Sequence, residues 1–538
     1  MQPFSLLPTF NVMNRLLLVL TAVLAAQGLF GQSRLRKMPA NVNHPSINNS
    51  APYIALDGNT IIYLADVAED YALTLNQTNK SGTNWTDPVI LPRSVNNRLN
   101  YLYGFGLSPD GNILYISNAK SNGMGGYDIY SCARRGNSWA EPVNLLNPIN
   151  SKMHDACPSP SADGMAFYFM RCETMNGTLA DQCKLMVARK KTNGQWDEPT
   201  ELPAFINTGN SQAPRIMGDG ETLLFSSNKL KPGKGGMDLY MTRFQNKTWT
   251  PPVALDFANT PGDDQWASAS SLGRYLLKHV PGTRVTELVE LLFPAELRPK
   301  MTIKIEGMVS VSEKPESAFV SIFDLRDNSK VFDTHPNGSG QFVAYVKEGS
   351  VYDLSIDPAP DNYTFYSRRF DLTKEKFALV ERMAAKLKAA SSGDTIQLEG
   401  IGYRELTAEL DPLSQQELRR VKRLMDGNPK LNFTFELSLE PYLNDTLKLS
   451  ADMTEIQRDT IRIPVSYAVD SVTTATRDSL VVKVRYHNNR TAAQGQTLKE
   501  YLIKQGIGND RMKFTERLLP APNPDADKPR TRVKLIIH

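Results

Sequence analysis

The most reactive side chains in this chain are four cysteines, and their spacing speaks to oxidation rather than catalysis. Cys172 and Cys183 flank the segment ETMNGTLADQ, whose length and polarity suit a hairpin connection, so a cross-strand disulfide is expected between them. Cys132 and Cys157 are then expected to form the second pair. Zinc is the rival chemistry, but no close Cys-x-x-Cys pair occurs and the nearest histidine is His154, so no metal site is expected. Six histidines among 538 residues leave few candidate bases. No Gly-x-Ser-x-Gly elbow, His-Glu-x-x-His helix or phosphate-binding glycine loop is present, so no catalytic residue, cofactor or enzymatic activity is expected. Asp263-Asp264 and Lys374-Glu375-Lys376 read as solvated charge.

The cysteines sit within a repeat. Asp-Gly turns fall at Asp57-Gly58, Asp110-Gly111, Asp163-Gly164 and Asp219-Gly220, with separations of 53, 53 and 56 residues. A Trp-x-x-Pro element follows each turn, at Trp85, Trp139, Trp196 and Trp249, separated by 54, 57 and 53. Two independent markers on one period, each bounding short alternating runs such as Tyr127-Asp128-Ile129-Tyr130, describe the four-stranded blades of a β-propeller. A fifth blade is expected around Ser271–Leu277 and Glu287–Phe293 without its Trp-Pro strand. The segment Leu35–Asn43 precedes the first turn much as Leu145–Asn150 precedes the third, and is expected to supply the strand that closes the ring.

Length favours several domains. Charge is nearly balanced, with 61 Lys and Arg against 57 Asp and Glu and no long basic block, so no nucleic-acid partner is expected. Met13-Asn14-Arg15, the apolar run Leu16–Phe30 and Gly31 read as a signal peptide over residues 1–31, with no membrane span remaining after cleavage. No cysteine stands at the cleavage point to take a lipid. Export and paired cysteines agree on an oxidising compartment.

The Asp-Gly turn with Gly125-Gly126-Tyr127-Asp128-Ile129-Tyr130 and Gly235-Gly236-Met237-Asp238-Leu239-Tyr240 resembles the TolB-type, WD-like propeller repeat, here over residues 32–297. Asp128 and Asp238 read as turn carboxylates, with a metal role as the alternative. Residues 300–372, with Gly307-Met308-Val309 and Asn337-Gly338-Ser339-Gly340-Gln341-Phe342, resemble a carboxypeptidase regulatory-like β-sandwich. Phe377, Leu379, Val380, Met383, Ala384 and Leu387 suggest an amphipathic helix in a linker over 373–394.

Ile396–Ile401, Leu410-Asp411-Pro412-Leu413-Ser414, a helical run Gln415–Met425, Asn428-Pro429, the strand-like Leu431–Phe435, a second helix Thr497–Ile507 and a closing Arg530–Ile536 strand follow in an order that resembles an OmpA-like α/β domain over residues 395–538, with an insertion near 441–485. Peptidoglycan binding in that family uses an Asp for the ammonium of the peptide stem and an Arg for its carboxylate. The matching positions here are Glu440 and Gln494, and Arg490 is the nearby cation left to replace the clamp. The resemblance therefore implies weak peptidoglycan contact at most. The complete order resembles the PorE-type periplasmic proteins of Bacteroidota, associated with type IX secretion and gliding. The fold class expected is thus multidomain and mainly β: about five propeller blades, a small sandwich and a C-terminal α/β OmpA-like domain. The function it implies is a non-enzymatic scaffold in the periplasm, near the outer membrane or cell wall, whose propeller docks envelope or secretion-system proteins. A glycan- or ligand-binding propeller is the alternative.

Overall fold

The structure, a computed structural model, describes residues 35–538 apart from 68–72, 97–103, 121–122, 137, 177–178, 192, 312–314, 374–378, 449, 470, 472–473 and 521–528. The expected signal peptide and the Lys374-Glu375-Lys376 cluster lie outside the described residues. The chain divides after Met301 into two compact units.

The first unit is a β-propeller of five antiparallel sheets laid down in chain order. Four follow one plan, with a first strand (Ile47–Ile54, Phe105–Leu107, His154–Pro160 or Ser211–Ile216) paired to a second, a second to a third, and short Trp-bearing or Pro-flanked segments on the outer edge. The Asp-Gly turns join first and second strands by local chemistry. Gly58, Gly111, Gly164 and Gly220 all have φ between 66° and 72°, a region open to residues without a Cβ. Each preceding carboxylate accepts the amide two residues on, from Asn59, Asn112, Met165 and Glu221.

The fifth sheet holds Tyr275–Pro281 and Thr286–Leu292, and its outer strand is Leu35–Lys37, paired antiparallel with Leu35 opposite Leu291 and Lys37 opposite Val289. The ring is closed a second time at its inner edge. Ile54 N–H donates to Ser268 Oγ at 3.0 Å, and Ser271 N–H to Leu56 O at 2.7 Å.

Two further features repeat with the blades. Ala51, Gly104, Cys157, Ala213 and Trp266 all have positive φ and stand 53, 53, 56 and 53 residues apart, and in three blades a register shift of the first strand spans the position. Those three are bulges that bend an inner strand at the same point of the repeat. Asn43, Asn96, Asn150, Asn207 and Asn259 each accept a backbone N–H and donate to the C=O of the same residue in a third strand, at Leu288, Leu75, Ile129, Leu185 and Leu239 in turn. An asparagine amide thereby takes the part of a neighbouring strand where the true outer strand is only two or three residues long.

The second unit begins with a sandwich. One sheet orders Gln341–Lys347, Thr302–Val311 and Val380–Leu387; the other orders Ser329–Thr334, Ala318–Asp324, Val351–Pro358 and Tyr366–Asp371. The expected linker helix is corrected here: Val380–Leu387 is a strand parallel to Thr302–Val311, with Lys304 opposite Val380 and Val311 opposite Leu387. Met383, Ala385 and Leu387 bury alternate side chains while Glu381, Arg382 and Lys386 reach solvent. The apolar residues fit period two as well as period 3.6, and an unfilled sheet edge decides between them.

The rest of the unit is an α/β layer. Its sheet orders Thr395–Gln397, Arg530–Ile537, Phe433–Tyr442 and Met512–Pro520, the last two parallel. Helices α1 (Gln415–Gly427) and α2 (Thr491–Lys504) cover it through Leu418, Val421, Leu424, Leu498 and Leu502. Pro412 starts the short turn before α1, where Asp411 caps the Leu413 amide at 2.9 Å. Between the two parallel strands lies an inserted hairpin, Thr454–Ala468 with Thr474–His487. Asn488 ties its two ends together, accepting from Leu443 N and donating to Pro441 O, both at 2.9 Å.

Candidate functional site

The two positions matched to a peptide-stem site, Glu440 and Gln494, and the nearby Arg490 converge at one end of the α/β sheet, but Gln494 and Arg490 are committed to internal bonds. Gln494 lies in the first turn of α2 and is 7% exposed. Its Nε2 donates to Thr407 O at 3.2 Å, and its Oε1 accepts from Thr531 Oγ1 at 2.8 Å. Tyr403 O–H donates to the Gln494 carbonyl at 3.1 Å. The amide thus fastens the 402–411 loop and the last strand to the helix.

Arg490, at the N-cap of α2, is corrected as a replacement clamp. Its Nη1 meets Asp452 Oδ1 at 2.7 Å and its Nη2 donates to Asp452 O at 3.0 Å. The inserted segment therefore supplies the carboxylate that occupies this guanidinium. Glu440 is half-buried at the end of its strand, opposite Arg530 in the antiparallel register. Gln494, which stands where the resembling family has its carboxylate clamp, and Arg490 beside it are thus both engaged by groups of this chain.

The cysteines divide differently from the expected two pairs. A disulfide joins Cys172 to Cys183 at the directly opposed position of its hairpin. Cys132 and Cys157 are separate buried thiols, which corrects the second bridge. Cys132 stands in mid-strand opposite Leu114, and Cys157 occupies an inner-strand bulge. Burial pushes the Cys132 thiol up to about 12 and that of Cys157 higher still, so both stay protonated and unreactive at neutral pH.

The carboxylates resembling sites turn out to organise backbone. Asp128 accepts from the Met124 and Gly125 amides and from Asn144 Nδ2; Asp238 accepts from the Lys234 and Gly235 amides. Asp264 is not solvated as expected: it is buried, ion-paired with Lys278, and accepts the Thr260 amide. Asp163 and Asp110 serve their turns in the same way.

Among the described residues, two buried arginines escaped the sequence reading. Arg420 of α1 bridges Asp353 of the sandwich and Glu417 on its own helix, and Ser367 O–H donates to Glu417. Burial pushes the Glu417 carboxyl up, against the pull of Arg420. This cluster stitches the sandwich to the α/β layer. A charged triplet on a helix start reads as surface from sequence alone, because Asp353 is distant in the chain. The other is Arg215, in the inner strand of the fourth blade, with 7% exposure.

The fold makes the first unit a β-propeller protein of five blades, and the assignment rests on its five sheets and their closure. No protein-family model matches the chain. No curated protein matches it. Among solved structures it is similar to a putative TolB from Agrobacterium tumefaciens, with 14% identity, 55% of this chain and 90% of that one covered, and a TM-score of 0.29. It is also similar to an endo-arabinase from Bacteroides thetaiotaomicron, with 13% identity, 49% and 99% covered, and a TM-score of 0.32. An α-L-arabinofuranosidase from Lactobacillus brevis shows 12% identity, 47% and 94% covered, and a TM-score of 0.30.

Proposed function

We propose that this protein is a non-enzymatic scaffold of the periplasm. In this reading the propeller docks an envelope or secretion-system protein, and the α/β layer, taken as a degenerate OmpA-like domain, lies at or near the cell wall or outer membrane. The PorE-like order of modules suggests type IX secretion or gliding machinery as the setting. The observation that carries the proposal is the use made of Gln494, matched to the family's clamp, and of Arg490 beside it. Gln494 and Arg490 fasten a loop, a strand and an inserted hairpin to one helix, which favours holding modules in place over gripping a peptide stem.

The test is cross-linking of the full chain in its own cells, followed by affinity capture and identification of the bound proteins. Stoichiometric recovery of envelope secretion or motility components is the expected result. Recovery of soluble glycan without protein, or hydrolytic turnover of a wall polymer by the purified chain, would overturn the reading.

A further inference from the structure

Five inner-strand positions, Tyr53, Gly106, Ser159, Arg215 and Ser268, are equivalent by the repeat, standing 53, 53, 56 and 53 residues apart. Arg215 belongs to the fourth blade, yet it touches the first three. Its Nη1 donates to Phe105 O of the second blade at 3.0 Å and to Pro158 O of the third at 3.1 Å, and its guanidinium carbon lies 4.5 Å from the centre of the Tyr53 ring of the first. In a ring of five blades, a side chain that reaches from the fourth to the first and second must cross the axis. The other members leave it room. A Cβ on Gly106 would stand 3.4 Å from Arg215 Nη1 and 2.7 Å from Pro158 O, and two of the remaining positions are serines.

The charge of this guanidinium is uncompensated. Among the described residues no carboxylate pairs with it, and a guanidinium keeps its proton even where burial opposes the charge. Two carbonyls and an aromatic face offset part of the cost of desolvating it. Only the Nη1 end is occupied. Nε and Nη2 make no hydrogen bond to the described residues, and neither is a sealed, unsatisfied atom. Both therefore keep some accessible surface on the inner side of the ring. Those two N–H groups form the side-on fork that matches a carboxylate's paired oxygens or cups a single halide.

We propose that Arg215 holds a small monovalent anion, a halide or a carboxylate, on the propeller axis through its Nε and Nη2 edge. Such an anion neutralises the one charge shared among four blades, so its occupancy tightens the ring.

Crystals of the full chain soaked in bromide test this directly. Anomalous scattering is expected to place bromide within hydrogen-bond distance of Arg215 Nε and Nη2; bromide bound only elsewhere would overturn the proposal. Displacement of that bromide by formate assigns a carboxylate as the preferred occupant, and its persistence assigns a halide. In solution, the melting temperature of the natural chain should rise with bromide more steeply than that of Arg215→Met, whose anion affinity should fall by about ten- to a hundredfold. Arg215→Lys keeps a cation but not the fork, and should show an intermediate slope. Equal slopes in natural protein and variants would also refute the site. Should Arg215→Met fail to fold, the diffraction result on the natural chain still decides.

Discussion

Replacement of Asn150 by alanine should loosen the second blade by a predictable amount. Asn150 is fully buried. Its Oδ1 accepts from Ile129 N and its Nδ2 donates to Ile129 O, each at 2.8 Å, with a third bond to Asn144 Oδ1 at 2.7 Å. Alanine strands the Ile129 N–H out of reach of water, while Ile129 O keeps the Leu145 amide at 3.1 Å; leaving the one donor unpaired costs about 1–3 kcal/mol, and a loss of that size is expected. Aspartate is the sharper probe. Its carboxylate still accepts from Ile129 N but sets a second oxygen against Ile129 O, so at neutral pH Asn150→Asp should cost more than Asn150→Ala. Protonation restores a donor, and the aspartate variant should recover relative to alanine as pH falls below about 5. The assay is hydrogen exchange at the Ile129 amide, which reads this blade alone in a chain whose domains need not melt together. A cost under about 0.5 kcal/mol for alanine, or no pH-dependent difference between the two variants, would refute the idea that these asparagines stand in for a strand.

The turn carboxylates should differ among themselves. Asp110→Ala should lower propeller stability by about 1 kcal/mol, and Asp219→Ala by more, since Asp219 also accepts from Thr222 N and Oγ1 and from Lys300 N; thermal melts rank them, and equal costs would count against the reading. Calorimetry against soluble muropeptide should detect weak or no binding to the full chain, and Gln494→Arg should lower stability without creating affinity, because it breaks the Thr407 and Thr531 bonds; tight binding by the natural chain would defeat the argument. His279, whose buried Nδ1 finds no partner among the described residues, is held down to about 4 by burial and by Lys278, against the opposite pull of Asp264. The fold therefore favours its neutral ring. Stability should be complete above the ordinary histidine value near 6.5 and fall by up to about 3 kcal/mol as pH drops toward 4, with His279→Gln flattening that slope in melts measured across the window.

Sequence made the propeller legible because its markers are local. An Asp-Gly turn and a Trp-x-x-Pro edge each carry their conformational reason within a few residues, and repetition separates them from accident. The Cys172–Cys183 bridge was readable for the same reason, both residues facing each other across one hairpin. Pairing Cys132 with Cys157 by elimination failed because burial in a strand and in a bulge leaves each thiol without its mate, whatever the compartment. Val380–Leu387 was misread since its strand partner, Thr302–Val311, lies far back in the chain and leaves no trace in local periodicity. Arg490 was offered as a clamp because its carboxylate, Asp452, sits in an insertion whose fold no resemblance describes. The five asparagines were in view within the repeat, but their bonds to third-strand backbone require the register to be known.

Closure through Leu35–Lys37 also sets an order of events. The outer strand of the fifth sheet is made some 250 residues before the strand it joins, Thr286–Leu292. Four blades can form as each hairpin emerges, since their strands are neighbours in sequence. The ring as a whole must wait, with the earliest segment held unpaired until the last blade exists, and joining such distant ends is the slow, entropically costly step of a non-local topology. During that interval the first and last blades both present open edges, the surfaces most prone to pair with another chain. A protein built this way is at its most vulnerable just before it is complete, and a chaperone that shields the waiting segment would act where the topology leaves the chain exposed.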